Sequence, residues 1–186
     1  MPNYRRANTA GATYFFTVVT YGRQRWLCEK EARDALRGAI REVRATRPFQ
    51  IRAFVLLPDH LHCLWTLPEG DADLSTRWRL VKSGTTRRLT EGGLAAALEL
   101  HPASASRKRS GECTLWQRRF WEHQIRDERD YSSHCDYVHY NPVRHGLVRA
   151  PQDWPNSTFH RYVEQGIYSG DWGAEPMSFA DMVGRE

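Results

Sequence analysis

The chain has few of the features that mark secreted, membrane-spanning or zinc-binding proteins. Its 186 residues contain no apolar run long enough to span a bilayer. The first residues, Met1 to Ala10, are polar and basic with no apolar segment behind them, so we expect no secretory signal and a cytoplasmic location. The four cysteines are scattered without a CxxC pair, which argues against a zinc ribbon or a redox motif.

Lysine is also scarce, and this gives the positive charge a particular chemistry. Only Lys30, Lys82 and Lys108 are lysines, so the net charge of +5 and the pI of about 9.2 come almost entirely from arginine. The planar fork of donors on arginine suits phosphate and can stack on bases. A genome rich in G and C would enrich arginine for unrelated reasons, so the charge permits nucleic-acid binding without requiring it.

Hydrophobic periodicity predicts an α+β sandwich, with an antiparallel sheet that carries helices on one face. The predicted order along the chain is a strand at 14–20, a helix at 29–46, a hairpin of strands at 51–57 and 61–67, a helix from Asp73 or Ser75 to Gly92, a strand within 116–125, a helix at 129–140 that ends before Pro142, and a short helix at 157–164. We expect one domain over residues 1–150, with a flexible basic loop at about 95–111, and a C-terminal extension over 151–186.

Two histidines follow the Pro58-Asp59 turn signal. His60 and His62 are two apart in a predicted strand, so both imidazoles point to the same face. Such a pair can hold a divalent metal if further ligands join it, although a pair of half-exposed hairpin histidines would show the same spacing.

A tyrosine and an asparagine are spaced one helical turn apart near the end of the predicted third long helix. Tyr137 and Asn141 then share a face, with roughly 5–6 Å between their Cβ atoms. The hydroxyl and the amide oxygen could converge on one metal-bound phosphate, although many helical tyrosines lie at the edge of a core. Pro142 disfavours a helical conformation at Asn141, which weakens this spacing argument.

Several basic and aromatic positions are candidates for contact with DNA. Aromatic side chains interleaved with arginines, as between Trp116 and Trp121, suit single-stranded nucleic acid, although a buried strand with solvated arginines is the favoured interpretation of this stretch by itself. The candidate DNA-binding residues are Arg5, Arg6, Arg87, Arg88, Arg118, Arg119 and Trp121.

Together these stretches resemble a known family. The segments LPDHLHCLW at Leu57 to Trp65 and DYVHYNPVRHGLV at Asp136 to Val148 are similar to those of the IS200-like single-tyrosine transposases. More narrowly, the chain resembles the branch associated with repetitive extragenic palindromes (REP), the REP-associated tyrosine transposases. The similarity runs from the first residues to about Tyr162, and the two motifs in this order are more specific than either alone.

The resemblance implies a fold, a site and a substrate. The family fold is a ferredoxin-like antiparallel sheet with helices packed on it. The family's metal-binding histidines match His60 and His62, its third ligand matches Asn141, and its nucleophile matches Tyr137. Relatives use Mg²⁺ or Mn²⁺ on single-stranded DNA with palindromic hairpins. A monomer is expected from the same resemblance, with a dimer as the alternative.

The reaction implied is DNA cleavage and strand transfer through a tyrosine covalently linked to a 5′ phosphate. Tyr131 and Tyr140 on the same segment are alternative nucleophiles, and His134 and His139 are either substrate-binding or ordinary surface residues. Two other classes stay open: a non-catalytic module that binds single-stranded DNA or RNA hairpins, and a phosphohydrolase that uses water. The hydrolase would need more carboxylates near the histidines than Asp59 alone.

Overall fold

A four-stranded antiparallel sheet forms the middle layer of the computed structural model, which describes residues 9–98 and 101–177. The strands are β1 (Thr13–Val19), β2 (Gln50–Leu56), β3 (His60–Thr66) and β4 (Trp121–Gln124), and their order across the sheet is β2-β3-β1-β4. The order and the antiparallel pairing are those of a ferredoxin-like sheet. The predicted α+β class is therefore confirmed.

In the described part of the chain, three long helices and three short ones accompany the sheet. In chain order they are α1 (Lys30–Thr46), α2 (Leu74–Glu91), α3 (Leu94–Ala97), α4 (Ala105–Arg109), α5 (Glu128–Arg144) and α6 (Phe159–Glu164). Single 3-10 turns cover Tyr21–Arg23 and Pro151–Asp153. The side chain of Asp73 caps α2 by accepting a hydrogen bond from the backbone N–H of Thr76, so Asp73 and not Ser75 is the cap.

The larger core lies between the sheet and the pair α1 and α2. Trp65 is its centre: its ring stacks on Phe49 at 4.0 Å and on Trp78 at 4.1 Å between centroids. Phe16 closes the group from β1, at 5.1 Å from Trp65. All four side chains are buried, so this face of the sheet contributes much of the apolar area removed from water.

A second core lies on the opposite face, where α5 packs. It joins Phe15, Val55 and Leu64 of the sheet with Cys135 and Val138 of α5. The prediction of helices on one face only is thus wrong. The physical reason is visible in β1, where every residue from Tyr14 to Val19 is buried, as expected for a strand covered on both faces.

Helix α5 also continues past the point at which it was predicted to end. Pro142 lies inside it, and the last residue is Arg144. A proline removes one backbone N–H, which costs most in a helix interior. Here the loss falls in the last turn, and the bond from the N–H of His145 to the carbonyl of Asn141, at 3.0 Å, keeps that turn closed. Asn141 is therefore helical, and the spacing from Tyr137 is a true helical turn.

Part of the segment at about 95–111, predicted as a flexible basic loop, is helical. It includes the end of α3 and all of α4, and the buried Arg107 donates to the carbonyls of Cys113 and Trp116, both at 2.9 Å. Helix α6 begins at Phe159 rather than at Ser157. The domain division at residue 150 stays a prediction. Within the described part of the chain, no helix combines the length and apolarity needed to span a membrane.

Candidate active site

The paired histidines sit at the start of β3 and face α5. His60 is opposite Val19 of β1 and His62 is opposite Thr17, so both lie on the face that also carries Phe15. Their ring centroids are 4.9 Å apart, and their exposed fractions are 1% and 0%. The predicted common face is confirmed, and the expected alternative of half-exposed histidines does not hold.

Each imidazole is oriented by a hydrogen bond at Nδ1. Nδ1 of His60 lies 2.7 Å from Oδ1 of Asp59, and Nδ1 of His62 lies 2.9 Å from Oγ1 of Thr17. Burial by itself would raise the pKa of Asp59. The hydrogen bonds and charges of His60 and Arg23 outweigh this effect and lower the pKa of Asp59 to about 2. The carboxylate therefore stays ionised at neutral pH. Nδ1 of both rings is held in place, so Nε2 is the nitrogen through which each ring would bind a metal.

Two side chains of α5 and the residue that follows this helix extend the site at four-residue intervals. Tyr137 packs against His62 with 5.2 Å between ring centroids, and His145, at the end of the helix, packs against His60 at 5.1 Å. Asn141 lies midway between them in the sequence, on the same face of the helix, and is fully buried. Asn141 therefore shares the helix face that packs on the paired histidines. His145 was not among the site residues predicted from the sequence.

An arginine contacts the hydroxyl of Tyr137. Nη1 of Arg144 donates to Oη of Tyr137 at 2.6 Å, and the guanidinium carbon lies 5.2 Å from the centroid of the same ring. Tyr137 itself has no exposed surface, whereas Arg144 is exposed. Sequence reasoning missed Arg144. In the sequence, Arg144 lies seven residues, or two helical turns, after Tyr137, and this spacing places both side chains on one face of a helix.

The alternative tyrosines have other contacts. Oη of Tyr131 lies 3.5 Å from Oη of Tyr162, and Oη of Tyr140 accepts from the N–H of Met177 at 3.2 Å. Burial is the main reason that the pKa of Tyr131 is raised, which disfavours its phenolate. Of the three, Tyr137 is the tyrosine whose ring packs on one of the paired histidines.

The expectation that His134 and His139 are ordinary surface residues is wrong, because both are buried. Their exposed fractions are 1% and 0%. Nε2 of His139 lies 2.9 Å from Oγ1 of Thr158, and burial lowers the pKa of His139 to about 3, so the ring is neutral. This histidine links α5 to the C-terminal segment.

His134 belongs to a second group that could hold a metal. His123, Asp130 and His134 have ligand atoms within 4.8 Å of one another. Nε2 of His123 lies 2.8 Å from Oδ2 of Asp130, and Nδ1 of His134 lies 2.8 Å from the backbone oxygen of Asp130. The His134 ring is 4.9 Å from the Phe15 ring, which also packs on His62 at 5.4 Å. The two groups thus have Phe15 as a shared neighbour.

The candidate DNA-binding residues are dispersed. Arg87 and Arg88 pair with Glu42, and Arg118 pairs with Glu112 at 2.7 Å. Arg119 is exposed, and Trp121 is half-buried against Phe15 on the face of α5. Arg5 and Arg6 lie outside the described residues. Among the described members of this group, Trp121 is thus the one that the structure brings next to the histidine site.

The chain is similar to proteins of known name along nearly its whole length. It is 43% identical over 180 residues to a REP-associated tyrosine transposase of Escherichia coli, which covers 97% of this chain and 96% of that protein. It is 41% identical over 176 residues to a Haemophilus influenzae protein that carries the name of a REP-associated tyrosine transposase. This match covers 95% of this chain and 96% of that protein. A solved structure of a REP-associated tyrosine transposase bound to a REP hairpin aligns over 100% of this chain and 99% of its own, with 42% identity and a TM-score of 0.79. No protein-family model matches the chain.

Proposed function

The chain belongs to the REP-associated tyrosine transposase family, and we propose that it cuts and joins single-stranded DNA at palindromic hairpins with Tyr137 as its nucleophile. The observation that carries the proposal is the contact of Tyr137 with both His62 and Arg144. A site whose nucleophile and paired histidines lie on one chain can be assembled without a second copy, and we propose a monomeric enzyme. A relative bound to a REP hairpin supports the hairpin as the partner.

The reaction is an exchange of phosphodiester bonds. Oη of Tyr137 attacks the scissile phosphorus, the bond from phosphorus to the 3′ oxygen breaks, and the 3′ oxygen leaves as a hydroxyl after taking up a proton. The product is a 5′-phosphotyrosine on the DNA downstream of the cut, and the DNA upstream of the cut ends in a free 3′ hydroxyl. One ester bond replaces another, so a 3′ hydroxyl can reverse the step and join strands without a nucleotide cofactor.

Arg144 serves the nucleophile directly. A tyrosine hydroxyl must lose its proton to attack, and a guanidinium donating at 2.6 Å stabilises the negative charge left on Oη. The same guanidinium then lies beside the phosphate that Tyr137 acquires. Tyr137 is buried whereas Arg144 is exposed, so side chains around Tyr137 must move before a phosphate can reach its hydroxyl.

The donor set at the site fits a divalent metal. Nε2 of His60, Nε2 of His62 and Oδ1 of Asn141 are all buried, and imidazole nitrogen and amide oxygen are both ligands that Mn²⁺ or Mg²⁺ accepts. A bound ion would polarise the phosphate and neutralise charge that develops on it. Asp59 and Thr17, through Nδ1, hold the two rings in the orientation that this requires. We propose Mg²⁺ or Mn²⁺ as the ion.

The proposal is tested by adduct formation. Hairpin oligonucleotides from the flanks of the gene, labelled at the 3′ end, are incubated with protein and Mg²⁺ or Mn²⁺ and then denatured. We expect a labelled protein–DNA adduct that requires the ion and is absent from Tyr137→Phe. Tight binding without an adduct, for several flanking hairpins, would instead favour the non-catalytic binding module.

Variants of the two histidine groups separate the metal sites. His62→Ala is expected to abolish adduct formation, because it removes a ligand at the tyrosine. The matched variant His123→Ala disturbs the second group, and we expect its adduct to keep the same dependence on ion concentration. If His123→Ala changes how adduct formation depends on ion concentration and His62→Ala does not, the metal site would be assigned to His123, Asp130 and His134.

A further inference from the structure

Three metal-ligating side chains form a compact group beside the active site. His123 lies on β4, whereas Asp130 and His134 lie on α5. One ligand atom of each residue lies within 4.8 Å of the other two. Two imidazoles and a carboxylate are ligands that divalent transition metals accept. None of the three residues was among the metal ligands predicted from the sequence, and the proposed reaction does not use them.

The group is assembled by one helix and one strand pairing. Asp130 and His134 are four residues apart on α5, so their side chains lie on one face of the helix. The pairing of β4 with β1 sets His123 opposite Phe15, on the face of the sheet that α5 covers. The rings of His123 and His134 then stack, with 4.6 Å between their centroids and 12° between their planes. The fold itself therefore brings the three side chains together.

His134 has the hydrogen-bonding pattern of a metal ligand. Its Nδ1 lies 2.8 Å from the backbone oxygen of Asp130, which can only accept, so Nδ1 carries the proton. Nε2 then has a free lone pair, and this buried atom has no hydrogen-bond partner among the described residues. Burial lowers the pKa of His134, which keeps the ring in the neutral form that binds metals. A metal-ligating histidine usually donates from its other nitrogen to a carbonyl or carboxylate in this way.

Asp130 supplies the negative charge of the group. Its Oδ2 lies 2.8 Å from Nε2 of His123. Burial by itself would raise the pKa of Asp130, but hydrogen bonds from His123 and Arg126 outweigh this effect and lower the pKa to about 2, so the carboxylate is ionised at neutral pH. Arg126 contacts the same oxygen through Nε at 3.2 Å, and 68% of its side chain is exposed. Such an exposed contact contributes little, so the guanidinium can turn to solvent when a metal ion binds.

The enclosure and the spacing of the group favour a zinc-like ion. The exposed fractions of the side chains are 2% for His134, 9% for Asp130 and 21% for His123, so an ion can enter past His123. A tetrahedral ion with bonds of about 2.0–2.1 Å holds neighbouring ligand atoms roughly 3.3 Å apart, so the His123 and Asp130 atoms at 2.8 Å need to separate by only about 0.5 Å. Mg²⁺, in contrast, prefers oxygen ligands and keeps several waters.

We propose that His123, Asp130 and His134 form a second metal site, which takes Zn²⁺ or a similar transition-metal dication and joins β4 to α5. The ion takes the place of the hydrogen bond between His123 and Asp130. It fixes the helix that carries Tyr137 onto the sheet, and it takes no part in the exchange of phosphodiester bonds. The proposal does not depend on the proposed function, because neither Tyr137 nor DNA is needed for the ion to bind.

Zinc binding is measured in His62→Ala protein, which has lost one ligand of the active-site pair. This background is compared with the same protein carrying His123→Gln and with a control carrying His160→Gln. The amide introduced by His123→Gln can still donate to Asp130, but it does not supply an imidazole. His160 is an exposed histidine outside both groups. After dialysis against Zn²⁺, bound zinc is measured by atomic emission, and the melting temperature is measured with and without the ion.

We expect the background and the control to bind one Zn²⁺ per chain and to melt at a higher temperature with the ion, because a ligand of the folded state stabilises it. His123→Gln is expected to lose both effects and to keep the metal-free melting temperature of the background. Three results would each overturn the proposal: a background that binds no zinc, a His123→Gln protein that binds as much zinc as the background, or an equal loss in the control.

A second measurement needs no substitution at His123, so it decides the matter if His123→Gln does not fold. The His62→Ala protein is treated with diethyl pyrocarbonate, which modifies accessible imidazoles, with and without Zn²⁺, and the modified histidines are identified by mass spectrometry. We expect Zn²⁺ to protect His123, whereas the exposed His101 and His160 are modified equally in both samples. Equal modification of His123 with and without the ion would contradict the second metal site.

Discussion

Replacing Arg144 by alanine removes the donor that lies 2.6 Å from Oη of Tyr137. A hydrogen bond to a charged group contributes about 1.5–3 kcal/mol. If that interaction exists fully only when Oη is negative, its loss slows cleavage by roughly 10- to 150-fold, at 1.36 kcal/mol for each tenfold change. Arg144→Lys keeps a positive charge without the planar fork, so we expect an intermediate rate.

The assay is single-turnover cleavage of a 3′-labelled hairpin at saturating DNA and metal, where a binding defect does not reduce the rate. Arg129→Ala is the matched control, because Arg129 is an exposed arginine in the first turn of the same helix. Because the side chain of Arg144 is exposed, we expect Arg144→Ala to keep the melting temperature of the parent. A cleavage rate for Arg144→Ala within about twofold of the parent would refute the assigned role, since that difference corresponds to only about 0.4 kcal/mol.

Three further predictions concern stability. Trp65→Ala removes the ring stacked between Phe49 and Trp78, and we expect a loss of about 3–5 kcal/mol in the free energy of unfolding, read from urea titrations. Asp71→Ala leaves the fully buried Arg77 without the carboxylate that it contacts at 2.9 and 2.7 Å, so a loss of about 3–5 kcal/mol is expected by the same titration. Burial lowers the pKa of His139 from 6.5 to about 3 in the folded protein. Between these pH values the histidine is protonated in the unfolded chain but not in the folded one, so the free energy of unfolding falls as the pH drops from about 6.5 toward 3. His139→Gln should flatten that part of the stability–pH curve, and an unchanged curve would contradict the assignment.

The parts of the site that sequence predicts are those set by local geometry. His60 and His62 share a face because a strand alternates, and Tyr137 and Asn141 share one because a helix repeats every 3.6 residues. The apolar runs likewise indicate which segments are strands. These features need no knowledge of how distant segments pack.

The parts that sequence could not predict depend on long-range contacts. Arg144 is one arginine among many, and only the packing of α5 on the sheet shows that it meets Tyr137. His123 and His134 come together because β4 pairs with β1 while α5 crosses the same face. The helix was expected to end before Pro142 because local propensity disfavours that residue, but the burial of Asn141 and Pro142 outweighs it.

The central claim is that Tyr137 carries the DNA. The most direct test is to digest the denatured adduct with protease and nuclease and to identify by mass spectrometry the tyrosine that bears a nucleotide. We predict a single modified peptide, with the 5′-linked nucleotide on Tyr137. Modification of Tyr131 or Tyr140, with Tyr137 unmodified, would contradict the account.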